Sequence, residues 1–232
     1  MSRSVEAEQH RHPYELLGDV ILGLNDGIVT TLVFALSVSG AAASNQAVVI
    51  AGLAEMLAGG VSMFLGGFLA GQSEKEAVEH QISVERHEIE AEPEEEREEL
   101  RQIYREKGFT EGQTTSIVEH LTSDTERWLN SMVRDELMIR PGHFVNPWRR
   151  GAALGFSFAA GALVPISPFL LHMSRAALVS VVLSLLLLFG TGAARSRFSH
   201  SSWVRSGAQM VLVGVIGTIA GLGIGRLLSS GL

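Results

Sequence analysis

Long apolar runs alternate with polar stretches along this chain, and five of the runs reach the length of a membrane crossing. They cover residues 20–40, 47–71, 151–173, 176–194 and 207–228. A helix rises about 1.5 Å per residue, so about 20 mostly apolar residues cross the hydrocarbon core of a bilayer. The fourth run is unbroken aliphatic sequence, interrupted only by Ser184, over 181–189. The first two are less pure, since they carry Asn25, Asp26 and Glu55. Buried helices of a large soluble core are the competing reading, but five of them in 232 residues leave too little polar sequence to cover them. The predicted fold is an all-α integral membrane protein with five transmembrane helices and a helical domain inserted between the second and third.

The remaining sequence divides accordingly. A polar tail occupies 1–18, transmembrane helices one and two 19–71, the insert 72–148, and helices three to five 149–232. The insert holds 19 of the 25 acidic residues but only 9 of the 18 basic ones, a balance of −10 against +3 elsewhere. No break separates Gly71 from Ala91, so the second span is expected to continue into water as one long helix that ends at Pro93. A second insert helix is predicted over 94–107, closed by Gly108. A third opens at the capping box Ser123-x2-Glu126 and ends before Pro141-Gly142. Apolar residues are sparse here, so the insert is expected to need a metal, a partner surface or a second subunit for order.

Charge also orients the chain. Arg149 and Arg150 precede the third span, and Arg195, Arg197 and Arg205 fill the fourth-to-fifth connection, whereas the opposite loops are almost uncharged. By the positive-inside rule, the amino terminus and the acidic insert are cytosolic. Trp148 and Trp203 stand beside these arginines as interfacial anchors. Glycines at four- and seven-residue spacing, as in Gly217-x3-Gly221-x3-Gly225, mark faces where helices approach closely. The absence of cysteine excludes disulfides, thiolate metal sites and Cys nucleophiles. The acidic balance argues against nucleic acid as a partner, and no secretory signal precedes Asp19. The excess of arginine over lysine points to a bacterial chain in the plasma membrane; a plant or fungal origin would place it in the vacuolar membrane.

Ionisable residues at membrane depth are costly and therefore candidates for function. Asp26 lies roughly 10 Å into the first span from the cytosolic side, and Met63 roughly 12 Å into the antiparallel second span from the same side. The two can meet at one level, with Glu55 about 12 Å further toward the far side. A ladder of carboxylate, thioether and carboxylate suits a divalent transition metal better than calcium or magnesium, which take oxygen alone. The plainer alternatives are a packing methionine and carboxylates that hydrogen-bond neighbouring helices. In the insert, Glu85 with Glu88, Glu96 with Glu99, and Met132 with Glu136 share helix faces. Like charges so placed repel, and a cation would relieve them. A dense acidic run such as 92–99 is also simply well solvated, and the spacing alone leaves both readings open.

Several separated motifs together resemble the vacuolar iron transporter family of plants, fungi and bacteria. They are Gly23-Leu-Asn-Asp-Gly-Ile, Ala54-Glu55, Ser62-Met63-Phe-Leu-Gly-Gly-Phe-Leu-Ala, and Val164-Pro165-Ile-Ser-Pro168. They agree with the family in order and spacing from about Gly18 onward, including the placement of the insert. The nodulin-like branch lacks that insert and is not resembled. The resemblance implies a homodimer in the lipid bilayer that exports ferrous iron, with manganese as the alternative divalent metal, from the cytosol in exchange for protons. The pathway positions it implies are Asp26, Glu55 and Met63. The insert looks like the family's cytosolic metal-binding domain, with ligand positions on Glu85, Glu88, Glu96, Glu99, Met132 and Glu136. Met132 is followed by Val133 where the family pattern has a second methionine.

The expectation is thus a transporter and not an enzyme, with no resident cofactor and with divalent metal ions and protons as its cargo. A rival from another class is a membrane-anchored iron buffer or ferroxidase-like enzyme that works through the acidic insert alone. An intramembrane protease fails for want of a nucleophile and base at one depth: His143 and His200 lie outside the runs, and His172 lies at the end of one.

Overall fold

The computed structural model of the chain describes residues 15–41, 44–139, 145–196 and 202–231. Among them are eight helices and no strand: α1 (Glu15–Gly40), α2 (Asn45–Ala91), α3 (Pro93–Glu106), α4 (Glu111–Thr122), α5 (Thr125–Asp135), α6 (Pro147–Leu170), α7 (Ala176–Ser196) and α8 (Trp203–Gly231). Helices α1, α2, α6, α7 and α8 are long and apolar enough to cross a membrane. Large apolar side chains stand outward on them, with Leu57, Leu186 and Ile219 each about two-thirds exposed (64%, 65% and 66%). In water such surfaces would aggregate, whereas in lipid they are solvated. The chain is an all-α membrane protein.

The 47 residues of α2 would extend about 70 Å, more than twice the roughly 30 Å of a hydrocarbon core. Its charged portion, from Glu74 onward, therefore lies outside the spanning part. The helix stops at Ala91, and Pro93 opens α3 at a position where a missing N–H costs nothing.

The chain forms two compact units, one of residues Met1–Leu69 with Val145–Leu232 and the other of Ala70–Phe144. In the first, α1 packs against α6, α7 and α8. Small residues make the close approaches. A Cβ on Gly155 would stand 2.7 Å from the Gly60 carbonyl oxygen, one on Gly221 2.8 Å from that of Val33, and one on Gly225 2.7 Å from that of Ser37. The glycine stripe of the last span is therefore its seam with α1. Gly66, by contrast, has nothing within 4 Å of the Cβ position.

Polar side chains tie these helices together. The Ser180 hydroxyl donates to the Pro165 carbonyl at 2.8 Å, the Ser37 hydroxyl to the Gly221 carbonyl at 3.1 Å, and the Asn45 amide to the Phe169 carbonyl at 2.9 Å. Pro168 has no N–H to offer the Val164 carbonyl four residues back, and the Ser167 hydroxyl takes that acceptor at 2.8 Å. Trp148 packs on Phe68 and Phe64, with ring centres 4.7 and 6.0 Å away.

The second unit carries a core of its own, made of Ile89, Leu100, Val118, Trp128, Leu129, Met132 and Val133. Ion pairs and hydrogen bonds ring it, among them Lys107–Asp135 at 2.8 Å and the Tyr104 hydroxyl donating to Asp135 at 3.0 Å. Two sequence expectations change here. A helix, α4, stands in the stretch between Gly108 and Ser123 to which no element was assigned; Gln113 Oε1 accepts from the Thr110 N–H at its start, at 3.0 Å. The cap of α5 is Asp124, which accepts from the Arg127 N–H at 2.9 Å, and not Ser123, whose hydroxyl donates back to the His120 carbonyl of α4 at 2.8 Å. The helix expected to end before Pro141-Gly142 stops at Asp135; residues 141–143, Arg197 and His200 lie outside the described residues.

Candidate functional site

Two groups of acidic side chains, one in each unit, are the candidates. The first sits on α1 and α2 at membrane depth. Asp26 is exposed on α1, and the Thr30 hydroxyl one turn later donates to its Oδ1 at 3.3 Å. Glu55 is half-buried on α2, and its Oε2 accepts from the hydroxyl of Thr31, which is fully buried on α1. No basic side chain pairs with either Asp26 or Glu55 among the described residues. Met63 lies two turns beyond Glu55 on α2 and is half-buried.

Beside Asp26, Asn25 faces the other way. Its Oδ1 accepts from the Thr191 hydroxyl of α7 at 2.8 Å, and its amide donates to the Met210 sulfur of α8 at 3.5 Å. This junction sets the rotation of α1, and with it the side on which Asp26 emerges. Thr30, Thr31 and Asn25 were not among the candidates read from sequence. A threonine four residues after an aspartate is a signal for Thr30; nothing local marks Thr31.

The second group is a trio in the acidic unit. Glu85 on α2, Glu96 on α3 and Glu136 at the end of α5 each bring one carboxylate oxygen within 4.8 Å of the others. Glu85 and Glu96 are 2% and 7% exposed, whereas Glu136 is open to solvent. Burial pushes the Glu85 carboxyl up to about 8, helped by the charges of Glu136 and Glu96 and by hydrogen bonding to Glu96. Burial likewise raises Glu96 to about 7, with the charges of Glu99 and Glu136 adding to it. Glu136 is also raised, by burial first and then by Glu99 and Glu88. All five glutamates therefore share one electrostatic neighbourhood. One oxygen of Glu85 and one of Glu96 are buried without a hydrogen-bond partner.

Such a cluster is unfavourable when ionised and empty. Protons or a divalent cation relieve it, and a hard or borderline cation suits three convergent carboxylate oxygens. Met132 is fully buried among the apolar residues of the unit's core.

Residues 17–226 match the VIT family. The chain is 32% identical over 215 residues to vacuolar iron transporter 1 of Arabidopsis thaliana, across 92% of this chain and 86% of that one. It is 30% identical over 232 residues to vacuolar iron transporter 1 of Oryza sativa, across 97% and 92% of the two chains. The protein of the same description in Eucalyptus grandis is 30% identical over 229 residues, across 96% and 92%.

Proposed function

The chain belongs to the VIT family, and on that premise we propose that it is a divalent-metal transporter that exports ferrous iron from the cytosol in exchange for protons. The observation that carries this reading is the pair Asp26 and Glu55. Two carboxylates stand on the apolar stretches of α1 and α2, and alcohols rather than basic side chains hold them. Neutral donors satisfy carboxylate lone pairs without cancelling their charge, so the pair keeps its attraction for a cation. The relatives named as iron transporters supply the metal.

In this reading Glu85, Glu96 and Glu136 gather the ion on the cytosolic side, with Glu88 and Glu99 adding negative potential around them. Met132, the soft ligand position that the resemblance implies, packs in the apolar core of the same unit and there supports the trio by packing. The ion then passes to Asp26 and Met63 and on to Glu55, while protons moving inward neutralise the carboxylates it leaves. The working unit is a homodimer in a bacterial plasma membrane, and manganese is the second metal such ligands accept.

Flux in proteoliposomes tests the proposal. Ferrous iron should cross the membrane faster with an opposing proton gradient than without one, and manganese should compete. A membrane that stays iron-tight with purified protein in it would refute the reading. The trio in the second unit favours one other reading, a membrane-anchored iron buffer or ferroxidase-like enzyme. That rival predicts iron binding or oxidation by the full chain with no flux, and no effect of changing Asp26.

A further inference from the structure

Thr31 is a fully buried alcohol, and its position is unusual for a helix. A buried helical threonine commonly donates to the carbonyl four residues earlier. Here the acceptor among the described residues is not Gly27 but Oε2 of Glu55, on the neighbouring helix. This makes the two oxygens of Glu55 unlike. Oε2 is engaged by Thr31. Oε1 takes no hydrogen bond among the described residues and stands 3.4 Å from where a Cβ of Gly59 would be. A side chain at position 59 would collide with the Phe158 ring as well as crowd that oxygen. Glycine there avoids the Phe158 ring.

A hydrogen bond from a fixed donor takes one of the two lone pairs of Oε2 and holds the carboxylate's orientation, so turning both oxygens toward one cation works against that bond. Calcium gathers six to eight oxygens and readily draws on both oxygens of a carboxylate, whereas transition ions accept one oxygen within a smaller shell. We propose that Thr31 is a specificity-determining residue, which holds Glu55 to single-oxygen ligation and so biases the pathway against calcium. The inference rests on the reading of Glu55 as a pathway ligand. Calcium bound through both oxygens competes with the geometry that the Thr31 bond imposes, and a charge-assisted bond of this kind is worth about a tenfold change in affinity.

The experiment measures ferrous uptake into proteoliposomes with calcium as competitor, and reads the calcium inhibition constant relative to the iron KM. Thr31→Val keeps the shape and removes the donor, and should lower that ratio by about tenfold. Thr31→Ser, which restores a hydroxyl, should return it to the wild-type value. If Thr31 serves packing alone, Thr31→Val slows iron uptake while the ratio stays put, and the inference is overturned. Should Thr31→Val fail to reach the membrane, Thr31→Ala removes the same donor and is read against the same ratio. Absence of iron uptake by the wild-type protein would instead overturn the transporter reading, and this inference with it.

Discussion

Thr31 and Glu55 belong to different helices, yet the hydroxyl of one donates to the carboxylate of the other. The preceding residue, Thr30, does the same for Asp26 within α1 at 3.3 Å. Two consecutive threonines thus serve two carboxylates, one on their own helix and one across the helix boundary. An arginine or lysine in either place would neutralise its partner. The alcohols hold the carboxylates in place and leave their negative charge uncancelled.

Charge and shape at Glu55 can be separated. Glu55→Gln keeps an oxygen that accepts from Thr31 but removes the charge. The variant should elute from detergent as the wild type does, while ferrous flux falls by roughly 10- to 100-fold, the usual loss when a metal-site group is removed. Flux within twofold of wild type would place the ion's route elsewhere.

The proposed metal binding at the acidic trio should depend on pH. With Glu85 pushed up to about 8 and Glu96 to about 7, a cation that binds at pH 7 must displace protons. Affinity should climb between pH 6 and pH 8 and level off above. Calorimetry in two buffers of different ionisation heat would show proton release at pH 7, which Glu85→Gln should reduce.

The same shifts predict stability without metal. Because burial raises these carboxyls in the folded unit above the ordinary value of 4.5, the folded state binds more protons than the unfolded one between about pH 4.5 and pH 8. Stability must then fall as pH rises through that window. Glu85→Gln should raise the melting point by roughly 5 °C at pH 8, where a melting shift of this size reflects about 1 kcal/mol in a small unit. It should change little at pH 4.5. Melting of metal-free protein by near-ultraviolet circular dichroism at both pH values checks the sign.

Glycine positions that differ in their surroundings should differ in tolerance. A Cβ at Gly221 would sit 2.8 Å from the Val33 carbonyl oxygen, and backbone cannot swing aside. Gly221→Val should destabilise the fold by about 1–3 kcal/mol, the usual penalty for overpacking. Gly66→Ala enters open space and should leave the elution profile unchanged. Thermal aggregation in detergent compares them directly.

The five spans were legible because length and apolarity suffice to identify a membrane helix, and the resemblance offered candidate ligand positions by spacing. The structure's own grouping came from elsewhere. Glu85 with Glu88 is a helical repeat that can be read along the chain, but Glu85 meets Glu96 and Glu136 only because three helices close around Leu100 and Met132. The helix α4 escaped notice because its stretch of Thr, Ser and Gln buries only Thr114 and Val118 and shows little apolar period. Ser123 looked like a cap because its spacing to Glu126 fits, but the neighbouring Asp124 is the stronger acceptor and takes the role. The bond from Thr31 to Glu55 spans two helices, so no local pattern announces it.

The most direct test of the account is ferrous flux through Asp26→Ala in proteoliposomes beside the wild type. If a cation crosses by way of the carboxylates of α1 and α2, this variant should fold, reach the vesicle and carry iron at no more than about a tenth of the wild-type rate. Flux equal to wild type would contradict the account, since the route would then bypass the first carboxylate it depends on.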